Sequence, residues 1–460
     1  MIHKKNSKQE MGNYRPISMS NHISKIWERV FNKRIMYHLK RHNRLSKSQH
    51  GFRPKMGCHT NLLNTWEKGI DLTDQHGPKI ELWSFDLQKA FDLLDHGKSL
   101  KLCHMAGING NVGKCLQSWL TNRKQFVQCG KERSRDRFVN RSCIQGSVLG
   151  PTLWIIYIQS LLDRLENKCD YFAYADDVTL VAKIGSKREI KDFNKVLKVL
   201  LKWGTEFSMK WGAHKTQRMA MRYQKCGAGK PPYMNFDGKD IEATDTLESL
   251  GVILNKSGIG YGHLNKIKNR ITATRVLIWK NYRIRTQEIL EKLYSIYIIP
   301  QINYCSQQYN TNNESHLKEI EAELRRFWKM SQTKTRPSKF MGLREQLIYN
   351  DLKQLHKIVQ GRSTITFREL FSMSEIQKRT DEQISKKKHI HTFARYTFAR
   401  RVQKYWNLLP LSTRKMGRER FKEELKLIMM DKKYEHLRNR MLNFGRKQPI
   451  QLPPGGINDR

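Results

Sequence analysis

Apolar and polar residues follow two different periods along this chain, and the change of period divides it. Residues 1–75 alternate basic and apolar positions, and from Ile23 to Leu39 the apolar residues fall at Ile23, Ile26, Val30, Phe31, Ile35 and Leu39, the spacing of an amphipathic helix. Residues 79–86 read Lys-Ile-Glu-Leu-Trp-Ser-Phe-Asp, a strand that ends on a carboxylate. Helical patterns follow near 97–106 and 111–121, with short strands near 125–129 and 136–140. Pro151 suits a first helical turn, and the run from Leu153 to Leu162 predicts a mostly buried helix. Two apolar runs, 171–174 and 178–182, flank Ala175-Asp176-Asp177 and predict a hairpin with two carboxylates at its tip. Helical spacing returns over 188–207, and the Gly- and Pro-containing stretch 227–232 predicts a turn.

Beyond about residue 262 the pattern is helical and basic: a helix pair over 262–300, then helices over 314–360 and 392–430. Three lysines at 386–388 sit in a polar linker, and the 453–456 region predicts a disordered tail. The predicted class is α+β, a mixed domain followed by an all-helical basic one. No apolar run reaches membrane-spanning length, no apolar signal core follows Met1, and no internal repeat is present.

Composition adds one strong constraint. The 460 residues, 38% hydrophobic and 28% charged, suffice for two or three packed domains. Lys and Arg number 86 against 42 Asp and Glu, a net charge of +44. Such a chain attracts polyanions, nucleic acid above all, because each neutralised phosphate releases a counterion. The eight cysteines form no Cys-x-x-Cys pair, which argues against a zinc knuckle or a disulfide framework and for reduced thiols inside a cell.

The candidate chemistry lies in carboxylates. Asp176 and Asp177 at a hairpin tip repel one another, and a divalent cation with a preference for hard oxygen removes that stress. Alone, the pair reads more readily as a turn or helix cap. Asp86 closes a separate strand, however, and two-metal phosphoryl transfer needs carboxylates from separate elements converging on ions roughly 3.5–4 Å apart. Gln145-Gly146-Ser147 is either a ligand-approaching loop or an ordinary loop capped by Ser147 before a helix.

In order the chain carries Asn13-Tyr14-Arg15-Pro16-Ile17-Ser18, Gln49-His50-Gly51-Phe52-Arg53-Pro54, Phe85-Asp86 through Phe91-Asp92, and Ile144-Gln145-Gly146-Ser147. Then come Tyr174-Ala175-Asp176-Asp177, His214-Lys215-Thr216 and Leu250-Gly251-Val252. This ordered set resembles the reverse transcriptases of non-LTR, LINE-type (jockey-like) retrotransposons over about residues 10–260, and more loosely at Lys404 to Pro410. The resemblance implies a right-hand polymerase: partial fingers over 1–75, a palm with an antiparallel sheet over 76–260, a helical thumb over 261–360 and a basic helical C-terminal region over 361–460. It implies RNA-directed DNA synthesis from a primer 3′-hydroxyl with dNTPs, on an RNA template and a DNA primer or target. Asp86, Asp176 and Asp177 match the ligands of two Mg²⁺ ions, with Mn²⁺ as a substitute. Phe91 matches the aromatic beneath the incoming sugar, or else is a core aromatic. Gln145 matches a nucleotide contact. Lys215 matches a lysine near the triphosphate, or else is a solvated surface residue. Arg15 and Arg53 match basic residues of the fingers, and Leu250-Gly251-Val252 a primer-gripping hairpin or a plain strand.

The chain also departs from that pattern. No stretch reads as an endonuclease, a Cys-His knuckle or an RNase H carboxylate set; with the first motif at position 13, only partial fingers are expected; His50 and Ile144 stand where an aromatic and a proline are expected. A catalytically inactive nucleic-acid-binding remnant is therefore the second reading, and an intron-type maturase the third. The expected location is intracellular, nucleus or cytoplasm, away from membranes.

Overall fold

A computed structural model describes residues 2–3, 7–10, 13–15, 17–76, 79–221, 234–256, 261–310, 314–331, 333–371, 384 and 397–443. The turn expected at 227–232, the linker at 386–388 and the tail at 453–456 lie outside them. The chain divides into two compact units, Met1–Leu250 and Gly251–Arg460.

The first unit opens with β1 (Ile2–His3) paired antiparallel to β2 (Tyr14–Arg15). The predicted amphipathic helix is α1 (His22–Arg41), started by the Asn21 side chain accepting from the Ile23 N–H at 2.7 Å. Its buried face differs from the one predicted: Ile35 and Leu39 are buried beside Glu28, whereas Ile23, Ile26 and Val30 are exposed. A second helix, α2 (Cys58–His76), is absent from the apolar pattern because it buries Thr60, Asn61 and Thr65 together with Leu62, Leu63, Trp66 and Ile70.

The predicted carboxylate-ending strand is β3 (Ile80–Phe85), followed by β4 (Leu87–Gln88), α3 (Ala90–Leu93), α4 (His96–Met105) and α5 (Gly110–Leu120). A hairpin arm leaves and returns as β5 (Arg123–Gln125), β6 (Gln128–Cys129), β7 (Glu132–Arg133) and β8 (Arg137–Val139). Then come α6 (Gly150–Leu165), with Pro151 in its first turn, the hairpin β9 (Asp170–Tyr174) and β10 (Asp177–Lys183), and α7 (Lys187–Glu206). The short strand β11 (Lys210–Trp211) pairs with β4, and β12 (Gln217–Ala220) joins the main sheet. The unit ends with the pair β13 (Asn235–Phe236) and β14 (Lys239–Asp240), then β15 (Ala243–Thr244) and β16 (Thr246–Ser249).

The main sheet has five strands in the order β15-β12-β3-β10-β9, antiparallel except for the β12–β15 pair. One face of it is sealed by apolar side chains, and withdrawing that surface from water is what chiefly drives the unit to fold. Trp83, Phe85 and Leu180 of the sheet cluster with Trp154, Ile158 and Leu161 of α6 and with Phe193, Leu200 and Trp203 of α7.

The second unit begins with β17 (Val252–Asn255) and is otherwise helical. The predicted helix pair is α8 (Tyr261–Asn281) and α9 (Gln287–Leu293), the latter running on through a π turn, Tyr294–Ile298, into α10 (Ile299–Asn303). Pro300 lacks an N–H, so the helical ladder has to be interrupted ahead of it. Then follow α11 (Ser306–Tyr309), α12 (Glu314–Trp328), α13 (Leu343–Val359), α14 (Phe367–Leu370), α15 (Phe398–Leu408), α16 (Leu411–Arg414), α17 (Arg418–Met430) and α18 (Glu435–Leu442). Ile267, Ile271, Ile302, Ile320 and Phe327 belong to its core. Among the described residues no helix is long and apolar enough to cross a membrane.

Candidate active site

Strand pairing brings distant carboxylates together. Along β10 and β3 the register runs from Lys183 opposite Ile80 to Val178 opposite Phe85. Asp86 follows Phe85 and Asp177 precedes Val178, so both carboxylates lie at the same end of this strand pair, and the charge of Asp86 acts on Asp177. Across the other edge of β10, Asp177 pairs with Tyr174, so Ala175 and Asp176 form a two-residue turn. Ala175 adopts a left-handed φ of 57°, uncommon for a residue with a Cβ.

That turn is held from outside. The buried Gln49 side chain accepts from Ala175 N at 3.1 Å and from Gly51 N at 2.8 Å, and donates to Ala175 O at 3.3 Å. A carboxamide can accept from the N–H and donate to the C=O of one residue at once. His50 N donates to Ala173 O at 2.7 Å, and Ala173 N to Ser48 O at 2.9 Å. A Cβ on Gly51 would fall 2.2 Å from Ala175 N, so residue 51 has to be glycine for the loop to approach. The buried His50 ring lies 2.8 Å from Thr60 Oγ1 through Nδ1, and burial pushes its pKa down to about 4.

The corner is electrostatically stressed. Asp177 is pushed up to about 7, first by burial and then by the charges of Asp176 and Asp86, with Lys215 acting the other way. Lys215 Nζ sits 2.9 Å from Asp86 Oδ2. Gly212 makes that position possible: its N–H donates to Asp86 O at 2.8 Å, and its own carbonyl accepts from Lys215 N at 2.8 Å. Among the described residues no three Asp, Glu, His or Cys side chains close into a cage around an ion. Instead a protein ammonium stands as the cation at Asp86. Hard oxygen donors under mutual repulsion, already holding one cation, are a donor set that suits Mg²⁺.

A second group forms around α3. Phe91 is half-buried, tilted against Trp154 at 5.7 Å and edge-on to the exposed Phe52 at 6.1 Å. Its carbonyl accepts from Cys143 N at 2.8 Å, which ties α3 to the start of the 143–149 loop. In that loop Gln145 donates through Nε2 to the Asp92 carboxylate, and its carbonyl accepts from Ser18 N at 2.9 Å. Gly146 is left-handed at φ 108°.

With this geometry in view, residues 2–254 match the family described as "Reverse transcriptase (RNA-dependent DNA polymerase)". The chain belongs to the reverse transcriptase family. It is similar to the "RNA-directed DNA polymerase from mobile element jockey" of Drosophila funebris, 24% identical over 68% of this chain and 34% of that protein. It is also similar to the "Probable RNA-directed DNA polymerase from transposon X-element" of Drosophila melanogaster, 25% identical over 70% of this chain and 36% of the other. The LINE-type kinship implied by the motif series therefore holds. The chain spans about a third of the length of these curated relatives. Among solved structures, an apo telomerase from Candida tropicalis covers 91% of this chain and 61% of its own at 10% identity and a TM-score of 0.42. A Candida albicans telomerase with a fragment of telomeric RNA covers 75% and 53% at 12% identity and a TM-score of 0.39.

Of the two basic residues that the resemblance assigns to the fingers, Arg53 has partners within its own loop. Arg53 donates through Nη1 to the carbonyls of Ser46 and of Gln49 (3.2 Å for the second), so that nitrogen braces its own loop. Burial lowers the Arg53 pKa from its ordinary value. Of Arg15 only the backbone is described, in β2. Leu250 and Gly251 both take left-handed φ, 48° and 77°, at the division between the units.

Two residues that shape the site have no role in the motif series. Gln49 stands inside one of the motifs, yet its clamp on Ala175 emerges only from the fold. Glu28, fully buried on α1, accepts from Val148 N at 2.6 Å and Leu149 N at 3.2 Å through Oε2. Its Oε1 accepts from Ser24 Oγ at 3.2 Å and Trp119 Nε1 at 3.4 Å. Glu28 thus fixes the loop carrying Gln145 where it enters α6, with the helix dipole favouring its charge. A signal was present: Glu28 lies three, seven and eleven positions before Phe31, Ile35 and Leu39, on the core stripe of α1.

Proposed function

We propose that this chain is an RNA-directed DNA polymerase that extends a primer 3′-hydroxyl with dNTPs by two-metal phosphoryl transfer. The observation that supports the reading is the β3–β10 register, which ends with Val178 opposite Phe85 and so leaves Asp86 at the end of the pair where Asp176 and Asp177 turn. Asp86, Asp176 and Asp177 would hold two Mg²⁺ ions, with Mn²⁺ as a substitute. Bound there, the ions would activate the primer hydroxyl and neutralise charge on the triphosphate and the departing pyrophosphate.

The protein's own residues do the rest. Phe91, propped by Trp154 and Phe52, forms a rigid wall under the incoming sugar and excludes a 2′-hydroxyl. Gln145, oriented by Asp92, contacts the nucleotide. Lys215 leaves Asp86 for the triphosphate and gives its proton to pyrophosphate; an exposed pair of this kind is worth at most about 1 kcal/mol, so the move is cheap. Arg15 acts as a finger contact to template or triphosphate, and Arg53 chiefly braces the loop that buttresses the catalytic turn. In this reading residues 1–75 serve as fingers, 76–260 as palm, 261–360 as thumb and 361–460 as a basic C-terminal region. The thumb tracks duplex phosphates. The partners are an RNA template, a DNA primer and dNTPs, within the nucleus or cytoplasm.

Primer extension tests it. The purified chain should extend a DNA primer on an RNA template with Mg²⁺, and Asp176→Asn should abolish the product. Equal extension by that variant removes the site assignment.

A further inference from the structure

The hairpin arm between α5 and the Gln145 loop has no assigned role. Every residue from Lys124 to Phe138 is exposed. Its root is fixed: Arg123 donates to Leu120 O at 2.9 Å and to Ser142 O at 2.8 Å, and Val139 is buried. A two-stranded ribbon gains little stability on its own, so exposed aromatics on it call for a partner.

Register defines the face they share. Lys124 lies opposite Phe138, and Gln128 opposite Arg133. Opposed residues share a face, and every second residue along a strand returns to it. Lys124 and Phe138 therefore share a face, as do Gln128 and Arg133. Arg133 stacks 3.8 Å from the Phe126 centroid, and Lys124 Nζ lies 4.9 Å from that of Phe138. Even so, Phe126 is 45% and Phe138 68% exposed. Lys124, Lys131, Arg133, Arg135 and Arg137 outweigh Glu132 and Asp136 along the arm. Flat apolar rings interleaved with cations suit a strand that offers bare bases and phosphates together.

We propose that this arm is a docking surface for single-stranded RNA, with bases stacked on Phe126 and Phe138 and phosphates met by Lys124, Arg133 and their neighbours. The choice of RNA rests on the polymerase reading, in which the template is the single strand to be received. Its placement agrees: the return strand leads through Ser142 to Cys143, held by the Phe91 carbonyl, and on to Gln145.

Binding of a labelled, unstructured uridine-rich RNA by the full chain and by Phe126→Ala/Phe138→Ala tests this. The double variant should bind about tenfold or more weakly. Its salt dependence should be unchanged, because no phosphate contact is lost, whereas Lys124→Gln/Arg133→Gln should flatten the salt slope by about 1.4, about 0.7 for each charge removed. Duplex RNA should bind both aromatic forms equally. Unchanged RNA affinity, an equal loss on duplex RNA, or a loss seen only with single-stranded DNA or anionic vesicles overturns the proposal. The two readings fail separately. A parent that extends no primer but loses RNA affinity in the double variant sinks the polymerase reading alone. An active parent with unaltered binding in the variant sinks the docking surface alone.

Discussion

Asp177, half-buried in the first unit, and Asp351, fully buried in the second, are treated by the protein in opposite ways. Asp351, fully buried on α13, receives Arg401 Nε at 2.7 Å and Asn310 Nδ2 at 2.7 Å, with Arg401 Nη2 at 3.4 Å. Arg401 in turn donates to Gln307 O at 3.0 Å. That carboxylate has its counter-charge built in and ties α15 to α13. Asp177 has other carboxylates for neighbours, and the ammonium nearby is held by Asp86. A folded chain tolerates a satisfied buried ion as architecture. A crowded carboxylate cluster that holds one member above its usual pKa is the arrangement the proposed function needs, because a cation from outside would relieve it.

The largest effect is expected from Asp177→Asn. Extension should fall by at least about a thousandfold, the scale seen when one member of a catalytic set is removed, while the variant melts no lower than the parent. Removing the partner of Asp351 should do the reverse: Arg401→Met should cost about 3–5 kcal/mol in denaturant unfolding, because a buried charge is stranded. Should Arg401→Met prove harmless, the architectural role of Asp351 is wrong.

Glu28 adds a third case, a buried carboxylate satisfied by N–H donors rather than by an ion. Glu28→Ala should cost about 1–3 kcal/mol, since the Val148 and Leu149 amides lose their acceptor. It should also raise KM for dNTPs more than it lowers kcat, and steady-state kinetics decide this.

The pH dependence of stability carries a sign. Asp177 has a folded pKa of about 7, above the usual carboxylate value of 3.8. The stability it contributes is full below about pH 3.8 and is lost as pH rises through about 7. His50, depressed to about 4, opposes this slope, because its stability is lost as pH falls from about 6.5. The difference in melting temperature between parent and Asp177→Asn in metal-free buffer cancels His50. It should favour the variant increasingly from pH 4 to 7 and then level off; a flat difference contradicts the crowding of carboxylates. The smallest effect belongs to Lys215→Met, whose exposed ion pair should change stability by less than about 1 kcal/mol.

Much of this was legible in the residues. The 171–174 and 178–182 runs and the 79–86 strand stand out because β-branched and aromatic residues fill short segments between turn signals, and β9, β10 and β3 occupy them. The buried face of α1 departs from the predicted one because the pattern counts only apolar residues, while Glu28 is buried for its hydrogen bonds. The helix α2 leaves no clear apolar stripe for the same reason, its inner face being partly Thr and Asn. Motif spacing brings Asp86, Asp176 and Asp177 into one hypothesis, but not the Lys215 ammonium on Asp86 or the Gln49 clamp on Ala175. Those depend on the close approach of loops at Gly212 and Gly51, which periodicity does not encode.

Whether Asp86, Asp176 and Asp177 hold divalent cations is read most directly by titrating Mn²⁺ into the chain bound to primer and template, with free Mn²⁺ followed by electron paramagnetic resonance. The parent should take up Mn²⁺ that Mg²⁺ displaces, and both Asp86→Asn and Asp177→Asn should lose that uptake while still binding the nucleic acid. Uptake in both variants equal to the parent's would place the ions elsewhere and leave the carboxylate corner without its function.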